Sequence, residues 1–193
     1  MKRVVKENRL TPPQLHEVRF GGSVGELFDR VIAERVTSDR ARNVVFKEAE
    51  DAFLNCMDDA KAPVGIWQGE FWGKLMISAC RVCRYTGDAE LRGFIRDSVH
   101  RMMGLQRADG YIGTYKNPRL VFRAHPDAGT AAMGWACDWN WNIWCRKYTL
   151  WGMLEAYALL EERAVLESAA RTADQLIGML EEMGARLCET GTF

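Results

Sequence analysis

Aromatic and hydrogen-bonding side chains are concentrated between Ala108 and Trp144, a stretch that begins ADGYIGTYKNP and ends GWACDWNWNIW. Flat apolar rings can stack on the C–H faces of a sugar, while Asp, Asn and Tyr side chains hydrogen-bond its hydroxyls. This mixture indicates a carbohydrate pocket, although the tryptophans could equally anchor the loop on the surrounding helices. The candidate ligand contacts in this stretch are Asp109, Tyr111, Tyr115, His125, Trp139 and Trp141.

Two carboxylates are candidates for work on a glycosidic bond, whose hydrolysis ordinarily needs a proton donor and a nucleophile or base. Glu70 follows a glycine-containing loop at the head of a predicted helix, and Asp109 lies in the DGY turn. Each also has a structural explanation, because a carboxylate stabilises a helix amino terminus and Asp before Gly is a common turn pair. Both are candidate substrate contacts, and the sequence assigns no catalytic residue.

Histidine and cysteine are too scattered to indicate a metal site. His16 lies in a polar arm and His100 in an amphipathic helix, so only His125 lies in the aromatic stretch. The six cysteines have no regular spacing, and Cys80 and Cys83 form a CxxC inside an apolar helical run without a second pair or paired histidines. We expect reduced thiols and no metal or other cofactor in this chain.

The composition bounds the class of protein. A length of 193 residues, 48% hydrophobic and 27% charged, fits one globular domain. Lys+Arg and Asp+Glu both number 26, so no net field attracts a polyanion such as nucleic acid. No segment approaches the roughly 18 apolar residues of a membrane span, and the amino terminus lacks a signal-like apolar stretch. We expect a cytoplasmic protein with a carbohydrate ligand and neither a nucleic-acid nor a membrane partner.

Helical periodicity dominates the chain after an irregular arm at residues 1–21, and residues 22–193 form the predicted helical domain. Ser23 is placed to cap the first helix, Gly87 to end one helix and Asp88 to cap the next. The predicted helices cover residues 23–36, 39–55, 71–85, 89–106, 146–160 and 164–183.

Two of the predicted helix pairs repeat one layout. In YTGDAELRGFIRDSVHRMM and LLEERAVLESAARTADQLI the apolar positions fall in step, which is typical of a repeated αα-hairpin. Such hairpins stack as an open solenoid or curl into a closed toroid. The long connection from Ala108 to Trp141 differs from the brief turns of solenoid repeats and favours the toroid. The sequence therefore predicts an all-α fold of repeated antiparallel helical hairpins.

The chain also contains GKLMISA in a helix, TGDAEL at its hairpin, LQRADGYIGTY after the next helix, and RKYTLWGMLEAYALL after the long loop. Together these segments resemble glycoside hydrolase family 127, the β-L-arabinofuranosidase-like proteins. The resemblance extends from about Ser23 to Met183, and DGYIGTY is its most specific part. Tyr115 and Arg146 stand where the family often has histidine. The matching residues are Gln106, Asp109, Gly110, Tyr111, Thr114, Lys147, Tyr148, Gly152 and Leu154.

The resemblance implies an (α/α)6 barrel that hydrolyses a glycosidic bond with retention, using a zinc-bound cysteine as nucleophile and a glutamate as acid/base. In the family those residues lie far beyond the first third of the barrel, whereas this chain shows about three of six hairpins. We therefore expect the amino-terminal part of the barrel, with zinc only in a full-length member. Cys188-Glu189 resembles the family's Glu-x-Cys motif only in reverse order.

The leading hypothesis is a carbohydrate-active protein, a β-L-arabinofuranosidase-like glycoside hydrolase or its amino-terminal fragment. Arg146 and Tyr148 complete the candidate substrate contacts. The two-pronged guanidinium of Arg146 suits an acidic sugar, although it could equally pair with a structural acid. One alternative is a sugar epimerase on the same kind of barrel, which would need paired histidines. The other is a non-catalytic sugar-binding or interaction protein that self-associates through an uncovered helical edge.

Overall fold

The computed structural model describes residues 13–58, 61, 66–121 and 140–190. Within these residues the chain is all-α and contains no strand. A π-helical turn, Ala41–Phe46, leads directly into the second α-helix, and short 3₁₀ turns lie at Leu15–Glu17, Ile66–Gln68 and Leu187–Glu189. The α-helices are α1 Gly22–Arg35, α2 Lys47–Met57, α3 Gly69–Thr86, α4 Ala89–Gly104, α5 Asn142–Leu160 and α6 Arg163–Glu182. None of the helices in this described part combines the length and hydropathy that a bilayer crossing needs.

The helix boundaries confirm most of the sequence signals. Gly87 ends α3 with a left-handed φ of 73°, which glycine adopts without a steric penalty. Asp88 caps α4, because its Oδ1 accepts the backbone N–H of Leu91 at 3.0 Å. The prediction for Ser23 was wrong: α1 already begins at Gly22, and Gly21 is its N-cap.

Two antiparallel hairpins, α3–α4 and α5–α6, form the centre of the fold, and their first helices run side by side in the same direction. A Cβ on Gly152 would lie 3.0 Å from the Cα of Gly73, so the two backbones cross almost without side chains between them. Further along, Arg84 of α3 forms a 2.6 Å salt bridge with Glu155 of α5. Parallel packing of this kind joins the inner helices of neighbouring hairpins in a toroid.

The first predicted hairpin differs from the other two, because α1 makes few contacts with any later helix. Its attachment centres on Phe28, whose ring packs edge-on against Tyr85 at 5.1 Å. Val24, Leu27 and Val31 on α1 stay exposed. Helix α2 instead packs against α3, and its side chains also reach α4. Phe46, the residue before α2, contacts the ring of Phe94 of α4 at 5.0 Å.

A polar chain crosses the apolar core and connects α2, α3 and α4. The indole N–H of Trp72 donates to Ser98 Oγ at 3.1 Å, and Ser98 donates to Glu50 Oε1 at 2.6 Å. Glu50 also accepts from Arg101 Nε at 2.9 Å. A buried donor without an acceptor costs folding free energy, so this series of hydrogen bonds fixes the register of the three helices. The apolar core around it includes Phe53, Met76, Ile95, Val99, Met102, Met153 and Val165.

Candidate functional site

The DGY segment lies beside the amino-terminal ends of α3 and α5, and Gln106 fixes it to α6. The amide nitrogen of Gln106 lies 3.0 Å from the carbonyl oxygen of Gly110, 2.9 Å from that of Ser168 and 3.0 Å from Thr172 Oγ1, and these three acceptors share its two N–H groups. Ser168 Oγ donates back to Gln106 Oε1 at 2.9 Å. The motif's glutamine therefore sets the position of the loop on the second hairpin.

Asp109 and Gly110 form the turn of this segment. Asp109 Oδ1 accepts the backbone N–H of Tyr111 at 3.0 Å. Gly110 has a φ of +94°, and a Cβ there would lie 2.5 Å from the carbonyl oxygen of Arg171. Both the backbone angle and the approach to α6 therefore require glycine. The Asp109 side chain is exposed. Because Oδ1 holds the turn, the second carboxylate oxygen is the one that a ligand can reach while the turn is kept.

Tyr111 and Tyr115 are buried and hold the loop together. The Tyr111 hydroxyl donates to the carbonyl of Tyr115 at 2.7 Å, and the Tyr115 hydroxyl accepts the backbone N–H of Trp141 at 3.0 Å. Burial raises the pKa of both phenols well above the usual range. Substrate contact by these two residues stays a prediction, and in this structure their hydroxyls join the loop to the start of α5.

Arg146 is also buried, at 3% exposure, directly behind the loop. Its guanidinium lies 4.6 Å above the Tyr111 ring, and Nη2 donates to Gln175 Oε1 at 2.5 Å. Its Nε and Nη1 have no hydrogen-bond partner among the described residues. Burial lowers the pKa of this side chain. A carboxylate clamp at Arg146 stays a prediction, since a ligand would have to enter the interior to reach it.

Glu70 lies in the first turn of α3 and is almost buried. Its Oε2 accepts the indole N–H of Trp144 and the ammonium of Lys74, the latter at 3.0 Å. Glu70 thus connects α3 to α5 through a polar contact near their amino-terminal ends. Next to Glu70, a Cβ on Gly69 would lie 2.9 Å from the Cβ of Cys145. The backbones of α3 and α5 therefore approach each other closely here as well.

Aromatic rings and lysines continue outward from Glu70 along one side of α3 and α5, a surface that we call the α3–α5 face. Trp144 and Tyr148 are in edge contact at 5.2 Å, and Tyr148 stacks on Trp151 at 6.2 Å with an interplanar angle of 7°. Lys74 Nζ lies 4.8 Å from the Tyr148 ring centroid. Trp151 is 44% exposed, so a large ring surface is open to solvent. The face comprises Glu70, Phe71, Lys74, Arg81, Arg84, Trp144, Lys147, Tyr148, Trp151 and Glu155.

An open hollow of about 430 Å³ borders Trp151 on this face, a size suited to a small sugar. Arg84 and Glu155 line it as an ion pair. Burial acts to raise the pKa of Glu155, but hydrogen bonding and charge from Arg84 outweigh it and hold that pKa below its usual range. A ring platform, a guanidinium and a carboxylate therefore border one hollow.

The described residues do not fit the zinc site of the resembled family. Nowhere in this part of the chain do three His, Cys, Asp or Glu side chains come close enough to hold a metal ion. Cys145 lies near Glu70, but burial raises the pKa of its thiol to about 12, which opposes the thiolate that metal binding needs. Cys188 is exposed, and its neighbour Glu189 pairs with Arg186 at 2.8 Å. No step is therefore assigned to zinc.

The structure brings Glu70 and Tyr148 together on one face and places Asp109, Tyr111, Tyr115, Trp141 and Arg146 in or behind the loop. His125 and Trp139 lie outside the described residues. His16 is exposed, and His100 contacts Glu162 at 2.6 Å. Sequence reasoning missed Phe71, Lys74 and Trp151 as site residues. The signal was available, because Trp144, Tyr148 and Trp151 recur at helical spacing with charged residues beside them.

Helical hairpins packed through parallel inner helices are the architecture of the (α/α) barrel proteins. The sequence profile of the β-L-arabinofuranosidase, GH127 catalytic domain matches residues 26–191. The chain belongs to this family, glycoside hydrolase family 127, and the resemblance stated above is confirmed. No curated protein and no solved structure matches the chain.

Proposed function

We propose that this chain forms the sugar-binding face of a β-L-arabinofuranosidase-like glycoside hydrolase domain. The observation that carries the proposal is the exposed row of rings on the α3–α5 face, next to Glu70, in a chain of this family. Trp151 offers the open ring surface on which the C–H face of a furanosyl sugar stacks. Arg84 and Glu155 supply a donor and an acceptor for its hydroxyls.

The roles of the carboxylates follow from their partners. Glu70 Oε2 already accepts two hydrogen bonds, which suits a group that holds Trp144 and Lys74 in place rather than one that gives up a proton. Asp109 supports the DGY turn. Within the proposal the described residues bind and orient the sugar, and bond cleavage is left to groups of the family that this part of the chain does not supply.

Calorimetric titration with methyl β-L-arabinofuranoside tests the binding step. Trp151→Ala removes the exposed stacking surface and should weaken binding about fivefold, the effect of roughly 1 kcal/mol of ring stacking. Ile177→Ala is the matched control, because Ile177 is 54% exposed on α6, away from the face, and its loss should leave binding unchanged.

Hydrolysis is tested with an aryl β-L-arabinofuranoside and a zinc assay, on this chain and on any longer product of the same gene. Sugar binding by this chain, with zinc-dependent cleavage by a longer product, supports the proposal. Binding that is absent, or equally strong in Trp151→Ala, overturns it. A chain that binds no sugar and elutes as an oligomer would instead favour the interaction-protein alternative.

A further inference from the structure

Positive charge is concentrated on the two helices that carry the α3–α5 face. Together α3 and α5 contain five basic residues and two acidic ones, Glu70 and Glu155, in a chain whose basic and acidic residues are equal in number. The basic residues are Lys74, Arg81, Arg84, Arg146 and Lys147. A local excess of one sign in an otherwise neutral protein raises the local concentration of ligands of the opposite sign.

The two lysines meet over one ring. Lys147 Nζ lies 4.2 Å and Lys74 Nζ 4.8 Å from the centroid of Tyr148. Lys147 also lies 3.4 Å from the Trp144 ring centroid. A ring face attracts a cation but neutralises none of its charge. Two ammonium groups are thus held against the same aromatic ring, so two positive charges lie on this part of the face.

The acidic residues on the face do not balance these cations. Glu70 pairs with Lys74, whereas no described residue forms an ion pair with Lys147. Glu155 is shared by Arg84 at 2.6 Å and Arg81 at 3.6 Å, so one carboxylate serves two guanidinium groups. Lys74 and Lys147 thus have one carboxylate between them, Glu70, and Arg81 and Arg84 have one, Glu155. Each of these two groups carries a net charge of one positive unit.

We propose that the α3–α5 face selects an acidic saccharide, one that carries a carboxylate close to the ring stacked on Trp151. This inference rests on the proposed function, because it assumes that the face binds sugar. The ammonium of Lys147 supplies the charge-assisted hydrogen bond to the carboxylate, and its ring contacts hold it ready for that bond. Arg81, whose Nη2 lies 3.6 Å from Glu155, supplies the second positive charge.

Trigalacturonic acid and its methyl ester form a suitable pair of probes, because they share a sugar skeleton and differ in charge. Calorimetric titration at low ionic strength should give about tenfold tighter binding of the acid, as expected for one charged hydrogen bond. Added salt should reduce this preference. Lys147→Gln should remove most of this preference for the acid over the ester.

Lys47→Gln is the matched control, because it removes the same charge from an exposed position on α2 and should leave the preference intact. If Lys147→Gln gives an altered circular dichroism spectrum, Lys74→Gln provides the same test from the other side of Tyr148. Inorganic phosphate at equal concentration should compete poorly. Competition as strong as that of the sugar would show an anion site without saccharide selectivity and overturn the inference.

The outcomes separate the two proposals. If the ester and methyl β-L-arabinofuranoside bind while the acid has no advantage, sugar binding stands and selection for a carboxylate is refuted. Unaltered preference in Lys147→Gln also refutes it. If none of the three saccharides binds, both proposals fail together.

Discussion

Replacing Gly73 by alanine tests the close crossing of α3 and α5. A Cβ at this position would lie 2.8 Å from the Cβ of Tyr148 and still closer to the Tyr148 carbonyl. Carbon atoms in contact prefer about 3.5–4.0 Å, so the helices must separate by roughly 1 Å. The obstacle includes backbone, which cannot rotate away as a flexible side chain can.

The expected cost can be estimated from opposing effects. Overpacking a well-packed site costs about 1–3 kcal/mol or more, and alanine recovers about 1 kcal/mol over glycine inside a helix. A backbone obstacle belongs at the upper end of that range, so Gly73→Ala should lower the free energy of unfolding by about 2 kcal/mol. For a chain of this size that corresponds to a fall in Tm of about 4–8 °C.

Gly93→Ala is the matched control, because Gly93 is also inside a helix and has no atom within 4 Å of an added Cβ. It should raise the free energy of unfolding by about 0.5–1 kcal/mol. Both variants are measured by thermal and urea unfolding followed by circular dichroism. Equal stability of the two variants would refute the crossing at Gly73 and, with it, the parallel placement of the inner helices.

Three further predictions concern a helix cap, an ion pair and the thiols. Asp88→Ala should lower the free energy of unfolding, measured in urea, by about 1 kcal/mol. Asp88→Asn should keep the stability of the native chain, because either Asp or Asn caps α4. An equal loss of stability in both variants would contradict the cap. The pKa of Glu155 is lower in the folded chain than in the unfolded chain, where it is about 4.3. The carboxylate therefore stabilises the fold above about pH 4.3, and this stabilisation is lost as the pH falls through the folded-state pKa. The stability gap between the native chain and Glu155→Gln should therefore be largest near pH 7 and close towards pH 3, and a gap independent of pH would argue against the ion pair. Iodoacetamide at pH 8 should label exposed Cys188 within minutes and leave buried Cys145 unmodified by peptide mass spectrometry, whereas rapid labelling of Cys145 would show that its site opens.

Helix caps and periodicity were readable from the sequence because they depend on neighbours a few residues away. Gly87 and Asp88 show this, since a left-handed ending and an N-cap are decided within one turn. Helix α5 starts at Asn142 rather than Arg146, because the fixed backbone of the loop supplies its first turn: Tyr115 accepts the N–H of Trp141. That contact links positions 26 residues apart, which local patterns do not report.

The candidate site was predicted in part. Glu70 and Tyr148 were recognised and do share a face. Trp151 continues the helical spacing of Trp144 and Tyr148, so the sequence contained a signal for it, whereas Phe71 and Lys74 resemble ordinary amphipathic helix positions until the parallel partner is known. Conversely, Tyr111 looks like a ligand contact by type, but its 0% exposure follows from the fold of the loop onto α6. Burial of an individual ring depends on long-range packing, which composition and spacing do not encode.

The parallel placement of α3 and α5 also bears on how the chain acquires its structure. Arg84 and Glu155 meet across 71 residues, whereas each hairpin closes through a link of two residues. Local hairpins form before distant segments find each other, because closing a longer loop costs more chain entropy. We expect the two hairpins to behave as separate cooperative units in hydrogen exchange, with the glycine crossing as the late docking step and the α3–α5 face absent until that step is complete.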